Sequence, residues 1–512
     1  MKMRIWVSVL TGMALAACGS SGGDPEPVQK VACADIKPAH LDLGQTGPIT
    51  ISSAALVAAT SAVPEHCRVD GVLSPETGSA IRFAVNVPTT NWNGKFLMLG
   101  NGGYAGEAPR AAGPDVASGY ATATTDTGHA ASEGARAFYN NRIKEIDYGY
   151  RGIHLTAAAG KQITKALGGK APDHSYFNGC STGGRQALMS AQRYPEDFDG
   201  IIGGAPAFNL TGLAIEQNWS LQQFQKNNYA GNIAGKVTLL ANAVKAACSD
   251  PADPLGLITR PESCNFNPST LLCTAGQDPA TCLTQPQVDA VRAVYQGPRS
   301  ASGTPWYPGK PVGSEASWAS WLVSDPASPS GWNPLQGGFG FSFVNNLFFE
   351  TDPPESYVWN QFNFDVDPPR QAFMANILNA NNPDLSAFNA RGGKLILYHG
   401  TGDGLIGYQP TLDYYQRVQG TVGNASAFTR LFLVPGMDHC DGFPRGGVSV
   451  TPLGWLSALE NWVERGAAPD AIAGSNRAGS TPSFTRPVCA WPRVATYTGT
   501  GDRLAAANYA CR

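Results

Sequence analysis

Charge is scarce in this sequence. Asp, Glu, Lys and Arg supply 15% of the 512 residues, the formal net charge is -3, and no basic cluster stands out. A nucleic-acid partner needs a concentrated positive surface, so that class is excluded. Beyond the N-terminal segment no apolar run is long enough to cross a membrane. Internal repeats are absent, which excludes solenoid arrays. Histidine is also sparse. The seven stand at 40, 66, 129, 154, 174, 399 and 439, so few side chains can serve as a base near neutral pH.

What is present is glycine (59) and proline (38) with 43% hydrophobic residues. This length holds one large domain with an insertion, or two or three small ones. The first residues carry Lys2 and Arg4, then the apolar "IWVSVLTGMALAA", then "LAAC" ending at Cys18. That order matches an export signal, and "LAAC" resembles a bacterial lipobox in which Cys18 receives lipid. Residues 1–18 are therefore expected to be a lipoprotein signal and 19–40 a flexible tether. An ordinary secretory signal is the alternative. The working location is outside the cytoplasm in either case, with the membrane touched only through a lipid anchor.

Of eleven cysteines, ten remain after Cys18, an even number that suggests five disulfides in an exported chain. Short spacings suggest Cys248 with Cys264 and Cys273 with Cys282. Cys489 with Cys511 would pin the C-terminal tail, and Cys33 with Cys67 the N-terminal one. Cys180 and Cys440 are left over.

Strand-like and helix-like stretches alternate from "IRFAVNVP" (81–88) to "DGIIGGAP" (199–206), which implies a parallel sheet with helices on its faces. From about 208 to 380 the chain is irregular, aromatic and rich in Pro, Gly and Asn. The alternation resumes at "GGKLILYHGTGD" (392–403). The expected fold is an α/β-hydrolase, with 41–207 and 381–512 forming the catalytic domain. Residues 208–380 form a large lid inserted between nucleophile and acid.

The chemistry centres on "NGCSTGG". Gly179, Ser181 and Gly183 spell G-x-S-x-G between a strand and a helix, the setting of a nucleophile elbow. A serine hydroxyl needs a base, and the base needs a carboxylate. His439 follows the apolar run "RLFLVPGMD", where this fold places its base. His399 and His129 are rivals in position, and His399 suits a substrate contact. Asp403, past the strand "KLILYHG", suits the acid, with Asp413 and Asp438 competing. One oxyanion donor should be the Thr182 amide. Cys180 precedes the serine and Cys440 follows the histidine, so a disulfide between them would clamp nucleophile to base.

"GCSTGG", "GTGD" and "PGMDHC" together resemble the tannase and feruloyl esterase family, over most of the chain from "AVPEHC" (62–67) onward. The resemblance implies a serine carboxylic ester hydrolase, with Ser181 as nucleophile, His439 as base and acid, and Asp403 orienting it. It points to Gly103 in "GNGGYAG" as the second oxyanion donor, and to small aromatic esters of feruloyl or galloyl type as substrates. No cofactor is required for that chemistry.

The family's mono(2-hydroxyethyl) terephthalate hydrolases are also similar, and give the alternative activity. Two departures count against it: Thr182 stands where they have glutamate, and no Lys or Arg occurs from Pro311 to Pro369, where their lid supplies an arginine. That stretch is instead crowded with aromatics, of which Trp321, Phe339 and Phe341 are candidates to stack on a planar acyl group. Family lids also bind calcium. Here Asp250 and Asp253 keep the expected spacing, but a later aspartate is replaced by Leu257, so the loop is expected either to hold a structural calcium or to be closed by its disulfide without metal. A catalytically inactive surface binding lipoprotein is the non-enzyme alternative.

Overall fold

The computed structural model describes residues 30–42, 44, 47–323, 336–441, 447–476 and 481–512. Cys18, the signal and the first half of the tether lie outside them. Nine strands form one sheet in the order β1-β2-β3-β5-β4-β6-β7-β8-β9. The first three, β1 (Ile49–Val57), β2 (His66–Leu73) and β3 (Ile81–Pro88), pair antiparallel. The remaining six, β4 (Lys95–Leu99), β5 (Ala121–Thr125), β6 (His174–Cys180), β7 (Gly200–Gly204), β8 (Lys394–Gly400) and β9 (Thr429–Val434), pair parallel with one another.

Alternation along each strand divides the core. Phe177, Ile201, Leu395 and Leu397 face one layer, where they pack with Ile163 of helix α1 (Gly152–Gly168) and Leu188 of α2 (Thr182–Arg193). Their neighbours Tyr176, Ile202, Ile396 and Tyr398 face the other layer, where Trp455 and Leu459 of the last helix (Pro452–Arg465) cover them. Side chains on a strand point alternately to its two faces, so one short apolar run serves both layers. Each fully buried large apolar side chain contributes about 1.5–3 kcal/mol to this packing.

The described residues between β7 and β8 lie off the sheet. They are less irregular than expected, because the helices Leu210–Tyr229, Val237–Cys248 and Gln285–Gln296 run through them. We label the first of these α3 and Gln336–Phe343 α4. The α3 helix hides from a periodicity search because it is buried all round, with Glu216, Gln217 and Asn218 buried beside Leu213 and Ile215. A helix without an exposed face shows no apolar stripe.

The five disulfides pair Cys33–Cys67, Cys180–Cys440, Cys248–Cys264, Cys273–Cys282 and Cys489–Cys511. No described helix is long and apolar enough to cross a membrane.

Candidate active site

Ser181 stands between the end of β6 and the first residue of α2, with φ 65° and ψ -120°. A non-glycine residue held there is strained, and such strain is found at nucleophile elbows. The turn closes because Gly179 has no side chain: a Cβ there would lie 2.8 Å from the backbone of Gly183. The backbone of Ser181 is fixed on both sides, its N–H donating to Gly204 O at 2.9 Å and its carbonyl accepting from Ala207 N at 3.1 Å.

Asp403 and His439 follow β8 and β9 and are buried. His439 Nδ1 lies 2.7 Å from Asp403 Oδ2, while Asp403 Oδ1 accepts from the amides of Leu405 (2.9 Å) and Ile406 (2.8 Å). Burial alone would raise the Asp403 carboxyl, but the charge of His439 and hydrogen bonds from both histidines hold it well below the usual carboxylate range. Burial would likewise depress His439, yet the charge and hydrogen bond of Asp403 outweigh it and raise the imidazole above its ordinary value.

Gly103 and Thr182 sit beside Ser181 on the wall of the same cavity. The Thr182 hydroxyl donates to Gly103 O at 2.6 Å, and Tyr148 OH donates to the same carbonyl at 3.1 Å. Thr182 is the first residue of α2, where a backbone N–H has no acceptor within the helix. The glycine loop is further held by Asn101, whose N–H donates to Gln186 Oε1 at 3.0 Å while Gln186 Nε2 donates back to Asn101 Oδ1 at 3.1 Å. This Thr182–Gly103 link and the Asn101–Gln186 pair join segments about eighty residues apart, and nothing local in the sequence marks them.

The cavity has a volume of about 640 Å³ and is lined by Ser181, His439 and Thr182 on the sheet side. On the side supplied by the segment between β7 and β8 it is lined by Leu213 and Gln217 of α3, Trp321, and Phe339 and Phe343 of α4. Two expected substrate contacts differ. Phe341 is not on the wall, because Phe339 and Phe343 are four apart on one helical face and Phe341 is turned away from it. His399 is fully buried behind Asp403, its Nε2–H shared between Ile406 O at 3.0 Å and Asp403 Oδ2 at 3.4 Å, and its Nδ1 accepting from Thr411 Oγ1 at 2.9 Å. A carbonyl can only accept, so the proton is on Nε2. His399 supports the acid and does not touch the cavity.

The rival groups are also placed. His129 is buried against Phe138, ring centroids 4.7 Å apart. Asp438 accepts from the His439 N–H at 2.7 Å and from Trp321 Nε1 at 3.3 Å, so it does not meet Nδ1. Asp413 is exposed on the helix Gln409–Thr421.

The expected calcium loop has another arrangement. Asp253 Oδ1 accepts from Leu255 N at 2.9 Å and lies 3.4 Å from Arg486 Nη2, and Asp250 Oδ1 accepts from Ala252 N at 2.9 Å. Leu257 turns into the core, and among the described residues no group of three or more His, Cys, Asp or Glu side chains converges on a point. Calcium prefers six to eight oxygens. Two carboxylates, each facing a guanidinium (Arg486 at Asp253, Arg503 at Asp250), do not fit that demand.

Residues 67–512 match the family "Tannase and feruloyl esterase". The chain belongs to that family. An uncharacterized esterase of Xanthomonas campestris pv. campestris is 34% identical over 94% of this chain and 91% of its own. A mono(2-hydroxyethyl) terephthalate hydrolase of Piscinibacter sakaiensis is 32% identical over 94% and 92%. The crystal structure of feruloyl esterase B from Aspergillus oryzae superposes with a TM-score of 0.80 at 28% identity, covering 91% of this chain and 97% of that one. The protein is a carboxylic ester hydrolase with the α/β-hydrolase fold.

Proposed function

We propose that this esterase is exported and hydrolyses small aromatic esters of feruloyl or galloyl type through an acyl-enzyme on Ser181. The observation that carries this reading is one cavity faced by a strained serine, a histidine paired to a buried aspartate, and a wall of Trp321, Phe339 and Phe343. His439 Nε2 takes the Ser181 proton as Oγ bonds to the ester carbonyl carbon. The amides of Thr182 and Gly103 receive the oxyanion; losing one such donor typically costs ~10²–10³ in rate. The tetrahedral intermediate collapses, the C–O bond to the alcohol breaks, and His439 returns the proton to the leaving oxygen. Water, deprotonated by His439, then attacks the acyl-serine ester. The second intermediate releases the carboxylic acid and restores the Ser181 hydroxyl. Asp403 keeps the imidazole oriented and stabilises its charged form throughout. The N-terminal "LAAC" and the five disulfides support export, with Cys18 as lipid acceptor.

A terephthalate monoester brings a free carboxylate, which costs several kcal/mol to desolvate without a partner. Arg185 is fully buried and donates to the carbonyls of Gly149 and Tyr148. Lys310 is buried against Glu216 at 2.6 Å. Neither lines the cavity. Among the described residues the only Lys or Arg on its wall is Arg110, and that guanidinium already donates to Gly100 O. Methyl ferulate or methyl gallate is therefore expected to show the higher kcat/KM against mono(2-hydroxyethyl) terephthalate. Best turnover of the terephthalate monoester would reverse the substrate assignment.

A further inference from the structure

One polar side chain stands apart on the lid wall. Leu210, Leu213, Ala214 and Gln217 of α3 all line the cavity, at the i, i+3, i+4, i+7 spacing that brings residues to one helical face. Three are apolar and the fourth is a primary amide. Gln217 is only 5% exposed. Its neighbours on the wall include Trp321, Phe339 and Phe343, none of which offers it a side-chain acceptor, and among the described residues its amide forms no hydrogen bond. It is also pinned: Gly340 of α4 packs against it so closely that a Cβ there would lie 2.9 Å from Gln217 Cβ. The amide faces the cavity, where solvent can meet it, so a ligand that fills the cavity must either complete it or leave it unpaired at a cost.

The position sets what that ligand offers. The chain enters α3 from Ala207, whose N–H holds the Ser181 carbonyl. Gln217 lies seven residues beyond Leu210, two turns or about 10 Å further along the helix. An aromatic acyl group attached to Ser181 and lying along this face would bring the far end of its ring toward Gln217. An amide both donates and accepts but carries no charge. It therefore complements a phenolic hydroxyl, which also donates and accepts, and it leaves a carboxylate without a counter-charge.

We infer that Gln217 is a specificity-determining residue that reads a phenolic hydroxyl at the end of the acyl group remote from the ester. This rests on the aromatic-ester reading above and assigns the substituent that the site selects.

The test uses the full chain and two esters that differ only in that hydroxyl, methyl 4-hydroxycinnamate and methyl cinnamate. The wild type is expected to favour the hydroxylated ester in kcat/KM by about tenfold, the worth of one buried hydrogen bond. Gln217→Met keeps the volume and removes the amide. It should lose about tenfold on the hydroxylated ester and stay within about twofold on the other, bringing the ratio near one. Equal rates in the wild type, an unchanged ratio in the variant, or equal losses on both esters would overturn the assignment. If neither ester is hydrolysed, the aromatic-ester reading fails first and this one with it. Should Gln217→Met not fold, inhibition of wild-type 4-nitrophenyl acetate hydrolysis by the two free acids decides. Tighter inhibition by 4-hydroxycinnamate supports the role of Gln217, and equal inhibition refutes it.

Discussion

Asp403 and His439 act on each other, and the consequence is a pH dependence. His439 serves as a base only when neutral, so kcat/KM falls as pH drops through its pKa. Burial pushes that pKa down and Asp403 more than compensates, which leaves it raised. The acidic limb of the wild-type profile should therefore lie above the ordinary histidine value. Asp403→Asn removes the charge that raises it. The limb should move to lower pH while kcat falls by about 10³–10⁴, as when a triad acid is neutralised. A full pH–rate profile of both proteins checks this; a limb that stays in place would show that Asp403 does not govern His439. His399, fully buried behind the same carboxylate, could not be separated by sequence from a substrate contact. A histidine at a strand end reads the same whether its ring meets solvent or a neighbouring loop.

At the scale of elements, two devices tie distant segments together. Cys180–Cys440 joins the end of β6 to the loop after β9 across 260 residues, with a Cα–Cα distance of 5.9 Å. Its two cysteines flank Ser181 and His439 in sequence. Replacing both by alanine should lower activity at least about tenfold and reduce stability, with ~5 kcal/mol as the chain-entropy limit. Thermal melts and ester hydrolysis of the double variant measure the two effects, and unchanged activity would remove the clamp from the catalytic account. The second device is Arg486, buried over the Tyr509 ring at 3.8 Å and beside Asp253. It brings a fixed positive charge from β-strand Thr485–Cys489 to the loop where relatives were expected to hold calcium. EDTA should accordingly leave Tm unchanged, and Arg486→Ala should destabilise by about 3 kcal/mol by leaving Asp253 without its partner. A Tm that drops in EDTA and recovers with calcium would show that the loop binds the metal after all.

For the molecule as a whole, legibility followed burial. Strands β4, β6, β7, β8 and β9 could be read because a strand buried on both faces is a short apolar run, and the candidate triad residues sit just past three of them. Strand β1 could not. It is an edge strand with most of "ITISSAALV" exposed or half-exposed, and Leu56 is 58% exposed. Strand β2 carries Arg68 and Asp70 two apart on one face, paired at 2.7 Å, so charge interrupts its apolar pattern. Helix α3 was hidden by being buried on every face over most of its length. Gln217 was hidden for another reason: the cavity wall is assembled from α3, α4 and Trp321, and no local pattern announces which helical face a distant insertion will cover. Thr182 could be singled out in the sequence by its place after Ser181, but its side-chain bond to Gly103 depends on a contact across 79 residues.

All of this turns on Ser181 as the nucleophile. The most direct measurement is covalent labelling of the full chain with a fluorophosphonate, followed by peptide mass mapping and an ester assay. One phosphonyl group is expected per chain, on the peptide containing Ser181, with hydrolysis lost in proportion to labelling and Ser181→Ala both unlabelled and inactive. A label on any other residue, or ester hydrolysis retained by Ser181→Ala, would contradict it.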